Sequence, residues 1–265
     1  MRASKWLLGG TALLALLLIF APILVVLLLS FNGGDTIAFP PHSLSLRWFR
    51  AFMESDEMRG AFVMSFWLAL LAATVSTALA LLGATYLARR RGRLATLLET
   101  LFIAPLVFPA IILGLALLLL YRSFGMPLMA GLAIAHVVVC FPYALRSIYA
   151  ALQSFDWSLD EAALSLGANP WRVFTLVVVP IIWPSIMVGW MFAFIVSFGE
   201  ANVVLFLSGP GVTTLPLEIF SYLQFQGDQL VVAAASALQV GVVVLFLLIA
   251  QQVLGTGKLV RAEQG

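Results

Sequence analysis

Only one cysteine, Cys140, occurs in this sequence, and it lies within an apolar run. No internal disulfide can form, and no group of thiols exists to hold a metal. The two histidines, His42 and His136, are far apart and neither sits in a ligand-spaced motif, so both read as structural. Charge is equally scarce: 10% of residues carry one, and the net value of +2 is too small to suggest a nucleic-acid partner. The G-x-x-x-x-G-K-[ST] phosphate loop is absent, as are H-E-x-x-H and any serine or cysteine placed with a base. The chain therefore reads as no enzyme, with no cofactor of its own, and any energy it uses comes from elsewhere.

Apolar residues are what the sequence has in excess. They make up 63% of the chain, against about 45–50% in a soluble domain. A bilayer is the solvent this composition suits. The first apolar run, Trp6 to Leu29, follows Arg2 and Lys5 in the manner of a signal peptide, yet it exceeds the roughly 7–15 apolar residues of such a segment. It is long enough to cross about 30 Å of hydrocarbon. Further runs give six expected spans, over about 7–30, 61–88, 100–121, 128–148, 180–207 and 230–253. Pro105, Pro109 and Gly114 mark points of bending in the third. Between the first two spans, Leu44, Trp48, Phe49, Phe52 and Met53 among charges predict an amphipathic helix at the membrane surface. Between the last two, Gly209-Pro210-Gly211 and Thr213-Thr214-Leu215-Pro216 signal turns. No internal repeat or low-complexity linker divides the chain, which reads as a single domain over residues 1–265.

Positive charge sets the orientation. With both termini in the cytoplasm, the inner side holds Arg2, Lys5, Arg89, Arg90, Arg91, Arg93, Arg146, Arg172, Lys258 and Arg261, and the outer side Arg47, Arg50, Arg59 and Arg122. Ten against four favours this topology. It places the polar stretch 156–178 in the cytoplasm.

That stretch has a readable grammar. Ser158 stands three before Glu161, the spacing of a capping box. Leu159, Ala162, Ala163 and Leu166 recur on one helical face, with Asp160 and Ser165 off it. Gly167 suits the left-handed residue that ends a helix, and Asn169-Pro170 supplies the cap and first residue of the next. The segment reads as helix, tight turn, helix, and the alanines leave a smooth face on which another protein can lie close. An ordinary capped hairpin between two spans is the other reading of the same residues.

Glu161-Ala162-Ala163, Gly167 and Val177-Val178-Val179-Pro180 together resemble the EAA loop of the membrane-spanning subunits of ABC importers, with Val177 and Val179 where that pattern has isoleucine and leucine. The resemblance implies an all-α membrane protein of six transmembrane helices, of the type I importer permease kind, with a cytoplasmic coupling helix. Asp160, Glu161, Ala162, Ala163, Gly167 and Pro170 would then form the contact with an ATPase. A second permease, two ATPase subunits that bind ATP and magnesium, an extracytoplasmic solute-binding protein and the lipid of a bacterial inner membrane are the implied partners.

Glu200 is the one acid within a predicted apolar span, where a carboxylate costs about 2.5–3.5 kcal/mol. With Ser197 and Asn202 it lines a polar route, or else the span ends at Gly199 with the acid already in water, or the acid pairs with an arginine on a neighbouring helix. Ser197-Phe198-Gly199-Glu200, Leu205 to Gly211, Thr213 to Pro216 and Ile219-Phe220-Ser221-Tyr222 resemble the second permease of spermidine/putrescine-type importers, as does Ser45 to Phe49. That likeness implies a polyamine substrate and a path past Ser197, Glu200, Asn202 and Tyr222. Gly199 stands where such permeases often carry a first acid, which leaves a zwitterionic amine, an amino acid or aminophosphonate, as the alternative. An ion-coupled secondary transporter is a further rival, but it needs more intramembrane charge than one acid.

Overall fold

A computed structural model describes the backbone of residues 2–226 and 229–262, and side chains over 10–225 and 229–252. The charges of Arg2, Lys5, Lys258 and Arg261 that entered the orientation count lie outside the described side chains, as does the end of the 208–228 loop at Asp228. The described residues are helical, with no strand among them, in the order α1 Arg2–Ser30, α2 Arg47–Glu54, α3 Asp56–Arg89, α4 Arg93–Val107, α5 Ala110–Ser123, α6 Leu128–Gln153, α7 Ser158–Ser165, α8 Pro170–Val173, α9 Val179–Phe198, α10 Leu215–Ser221 and α11 Gln229–Ala262. Helices are what the bilayer demands, because in hydrocarbon every backbone polar group must find its partner within the chain. Five helical segments are long and apolar enough to cross a membrane, or six if the bent pair α4–α5 counts as one.

That bent pair departs from the expected third span. α4 begins already at Arg93, and the chain turns by 107° between α4 and α5. The cause is local. Phe108 is extended (ψ 137°) because it precedes Pro109, whose ring disfavours the helical region for its neighbour. Pro105, by contrast, sits inside α4 without breaking it.

The fifth expected span is shifted towards the N-terminus. Helix starts at Pro170, widens into a π turn over Phe174–Val178, and ends at Phe198, well short of Leu207. Pro180 explains the widening: it has no N–H to give and its ring crowds the carbonyl a turn back, so Val179 N–H reaches to Phe174 instead. Beyond Gly199 the apolar residues Val203, Val204 and Leu207 are buried in protein around a short turn at Val204–Phe206. A Cβ on Gly114 of α5 would stand 3.0 Å from Val203 Cα, which is how close that turn lies.

The chain forms two compact units. One comprises Met1–Ala61 and Leu217–Val242. In it α2 buries Trp48 and Phe52 and leaves Met53 exposed, the amphipathic pattern expected of this stretch. The same unit holds α10 from Leu217 onward and the π turn Tyr222–Gln226, helical within the stretch 208–228 that reads as a polar loop, while Gly209 to Val212 forms a turn as expected. The other unit, Phe62–Pro216 and Val243–Gly265, contains the antiparallel pair α6 and α9 and, between them, the hairpin of α7 and α8.

Candidate functional site

The hairpin is built from its entry upward. Asp156 Oδ1 accepts the Ser158 N–H at 3.0 Å, and hydrogen bonding from Ser158, its hydroxyl first and this N–H second, holds the Asp156 carboxyl below the ordinary carboxylate range. Asp156 thus takes the part expected of the Ser158/Glu161 capping box. Ser158 is the first residue of α7, and Trp157 at the cap position before it forms no side-chain cap bond. The aromatic rings of Phe155 and Trp157 meet edge to face, 5.0 Å apart, which fixes the direction of entry.

One side chain of α7 is buried, and it is the acid. Asp160 accepts a hydrogen bond from Arg89 Nη2 at 2.8 Å. The same guanidinium lies 4.7 Å from the centre of the Trp157 ring. Arg89 ends α3, so this contact ties the hairpin to a membrane-spanning helix. Neither Arg89 nor Trp157 is singled out by the sequence, where Arg89 is one of a run of arginines and only its distant partner Asp160 gives it meaning.

The face expected to be smooth is open. Leu159 and Leu166 are 46% and 89% exposed, Ala162 is exposed and Ala163 half-buried. The Glu161 carboxylate is exposed too, with no hydrogen bond or ion pair of its own among the described residues. α7 stops as the sequence suggests. Gly167 has φ +84°, its N–H bonds Leu164 O at 2.9 Å, and Ala168 N–H bonds Ala163 O at 3.2 Å, the two bonds of a Schellman motif. Asn169 Oδ1 then accepts the Trp171 N–H at 2.9 Å with Pro170 as the first helical residue.

The residues expected along a path are divided between the two units. Ser197 is buried on α9, 2.7 Å from His136 Nδ1 of α6. Glu200 lies past the helix end, and its Oε1 accepts the Val203 N–H at 3.0 Å. α9 has therefore ended before this acid, with Gly199 as its C-terminal cap. Asn202 is exposed nearby. Tyr222 belongs to the other unit, its hydroxyl 3.1 Å from Ser55 Oγ, which donates to Glu57 Oε2. In that unit, burial and then the neighbouring Glu57 hold the Glu218 carboxyl above its ordinary value.

Helices long and apolar enough to cross a membrane, with a capped hairpin of one open face between two of them, give the chain the architecture of a multi-span membrane protein. A family model described as "Binding-protein-dependent transport system inner membrane component" matches residues 76–257, and the chain belongs to that family. It is 36% identical over 217 residues to the putrescine transport system permease protein PotI of Escherichia coli K12, covering 79% of this chain and 77% of that one. It is 28% identical over 253 residues to the spermidine/putrescine transport system permease protein PotC of the same organism, covering 94% of each. Among solved structures, a bacterial alginate ABC transporter in complex with an alginate-bound periplasmic protein shares the fold, with a TM-score of 0.73 at 16% identity over 94% of each chain. The all-helical permease fold and the homology to polyamine ABC permeases both stand on these likenesses.

Proposed function

We propose that this chain is one permease of an ATP-driven importer, paired with a second, homologous permease, and that α7 is the helix through which an ATPase dimer drives both. The observation that carries this reading is the division of α7 into two sides: a buried Asp160 fastened to Arg89, and an open face of Leu159, Ala162, Ala163 and Leu166 beside the exposed Glu161 carboxylate. A groove on the ATPase would receive the open face, with Glu161 meeting a basic residue there. Gly167 and Pro170 shape the turn that follows. Asp160 acts as the root of the lever and Arg89 as the socket.

ATP and magnesium belong to the ATPase in this scheme. Its closure pushes the hairpin, and the two permeases exchange inward-facing for outward-facing states. A binding protein on the outer side delivers the solute, both termini are cytoplasmic, and the whole assembly sits in the lipid of a bacterial inner membrane.

The substrate we infer is a polyamine, on the strength of the names of the two relatives. Ser197, Glu200, Asn202 and Tyr222 remain the candidates along its path. A zwitterionic amine is favoured by one observation, the commitment of the Glu200 carboxylate to the Val203 N–H rather than to open space. A thermal-shift comparison of the cognate binding protein with spermidine, putrescine, amino acids and aminophosphonates separates the two.

The lever is tested by Ala162→Arg in vesicles containing the complete transporter. The side chain at this position is exposed, so insertion and Tm stay as in the wild type, while binding-protein-stimulated ATP hydrolysis and uptake are lost. Wild-type uptake in that variant would dismiss α7 as the coupling element.

A further inference from the structure

Four arginines occupy five positions at the end of α3 and the start of α4, yet the ion pair found there involves the first alone. Arg89 is paired with Asp160, whereas Arg90 and Arg91 make no ion pair among the described residues. Both line a cavity of about 410 Å³ whose other walls include Tyr149, Gln153 and Trp157. Glu99 also lines it, so two guanidiniums face one carboxylate and the cavity is positive overall. Gly92 and Thr96, at the first turn of α4, close its side with a helix start that no side chain caps.

Arg90 has a second face. It also borders a groove of similar size walled by Leu82, Tyr86, Pro170, Trp171 and Phe174. Leu82 and Trp171 are 58% and 67% exposed, so the groove is apolar and open. A positive, polar cavity and an apolar groove that meet at one arginine match an amphiphile with an anionic head and a hydrocarbon tail. Basic pockets between membrane helices on the cytoplasmic side bind acidic headgroups in this way. The surrounding tryptophans and tyrosines are the side chains that settle at headgroup depth.

We propose that Arg90 and Arg91 seat the phosphate of an anionic phospholipid of the inner leaflet, with one acyl chain along Leu82, Tyr86, Trp171 and Phe174. The lipid then lies against Trp157 and Arg89, at the root of α7, and braces the hairpin from the membrane side. This inference rests on the cytoplasmic orientation of the hairpin argued above. Lipid retention is read without nucleotide or turnover, so its failure is distinguishable from failure of the lever.

The test is native mass spectrometry of the complete transporter, stripped in neutral detergent and resupplied with phosphatidylglycerol or phosphatidylcholine. The wild type retains phosphatidylglycerol in preference. Arg90→Gln with Arg91→Gln loses that preference, by roughly fivefold in affinity per arginine, and Arg93→Gln, outside both cavities, keeps it. Arg91→Gln alone leaves most of the orienting charge in place and shows the same direction if the double variant inserts poorly. Equal retention by the variants, or no wild-type preference for the anionic lipid, overturns the proposal. So does displacement by inorganic phosphate alone, which marks a soluble-anion site, or weakened ATPase binding with unchanged lipid, which marks an acidic protein segment as the occupant.

Discussion

His136 Nδ1 and Ser197 Oγ lie 2.7 Å apart in a buried seam between α6 and α9, and they are the first rung of a series. One turn on, the Cys140 thiol donates to Ala193 O at 3.2 Å. At the next turn Gly189 meets the backbone of Ala144, and at the one after that Ser147 Oγ donates to Ser185 O at 2.9 Å. Small residues let the two backbones approach closely, and polar ones fasten them where lipid offers no alternative partner. The α7–α8 hairpin hangs from this pair, so a load on α7 reaches two helices as one body.

The seam makes a ranked prediction. A Cβ on Gly189 would stand 3.2 Å from Ala144 O and 3.3 Å from its Cα, backbone atoms that cannot swing aside. Gly189→Leu therefore forces the helices apart and costs about 1–3 kcal/mol, as overpacking does. Ser197→Ala removes one interhelical hydrogen bond, worth about 0.6–2 kcal/mol in a membrane protein. Thermal unfolding in detergent should place Gly189→Leu below Ser197→Ala, and the reverse order would mean the polar rung, not close approach, holds the pair.

The Arg89–Asp160 pair is lopsided, since the acid's side chain is 7% exposed and the arginine's 38%. Deleting the arginine strands a buried carboxylate, whereas deleting the acid leaves a guanidinium that can turn to water. Breaking a fully buried pair costs about 3–5 kcal/mol and an exposed one about 0–1. Arg89→Gln falls between, at about 1–3 kcal/mol by that interpolation, and Asp160→Asn costs less. Chemical or thermal denaturation of the two variants checks the asymmetry, and equal losses would show that the pair shares its burial evenly.

Gly167 isolates a backbone effect. Its φ is +84° and no atom lies near the place of a Cβ, so substitution there costs only conformational strain, about 1–2 kcal/mol for an ordinary residue. Asn tolerates this region better than a β-branched residue does. Hydrogen exchange across α7 and uptake in vesicles should both rank Gly167→Asn above Gly167→Val. If both variants match the wild type, the left-handed turn is not what sets α7.

These residues also show what a sequence can and cannot say. Gly167 and Asn169-Pro170 are legible because each acts on its own neighbours, through φ in one case and a side-chain oxygen two residues away in the other. Ser158 misleads for an equally local reason: Asp156 reaches the same N–H first, and Phe155, Trp157 and Arg89 settle the entry through packing no spacing rule contains. Pro109 is visible as a bend, but its sharpness depends on where Phe108 can go. Val203 to Leu207 looks like more membrane span because apolar residues read alike whether they face lipid or protein. The partnerships of Arg89 with Asp160 and His136 with Ser197 join residues far apart in the chain, and nothing in either neighbourhood announces them.

Glu218 gives a pH-dependent prediction whose sign is unusual for a carboxylate. Burial and then Glu57 raise its folded-state value above the ordinary 4.5, so the folded chain holds this proton more tightly than the unfolded one. Protonated, below about 4.5, the side chain costs the fold nothing on this account. As the pH rises through the raised folded value the charge appears in a place that disfavours it, and stability falls. Glu218→Gln removes the charge while keeping the shape. It should raise Tm at neutral pH, and the gain over wild type should shrink to nothing as the pH is lowered past the ordinary value. The side chain is partly in contact with water, so the gain is small, and it resists added salt only to the extent that burial outweighs the Glu57 repulsion. A gain that persists unchanged in acid would mean that the substituted amide packs better for reasons unrelated to charge, and the repulsion between Glu57 and Glu218 would then have no bearing on the stability of this unit.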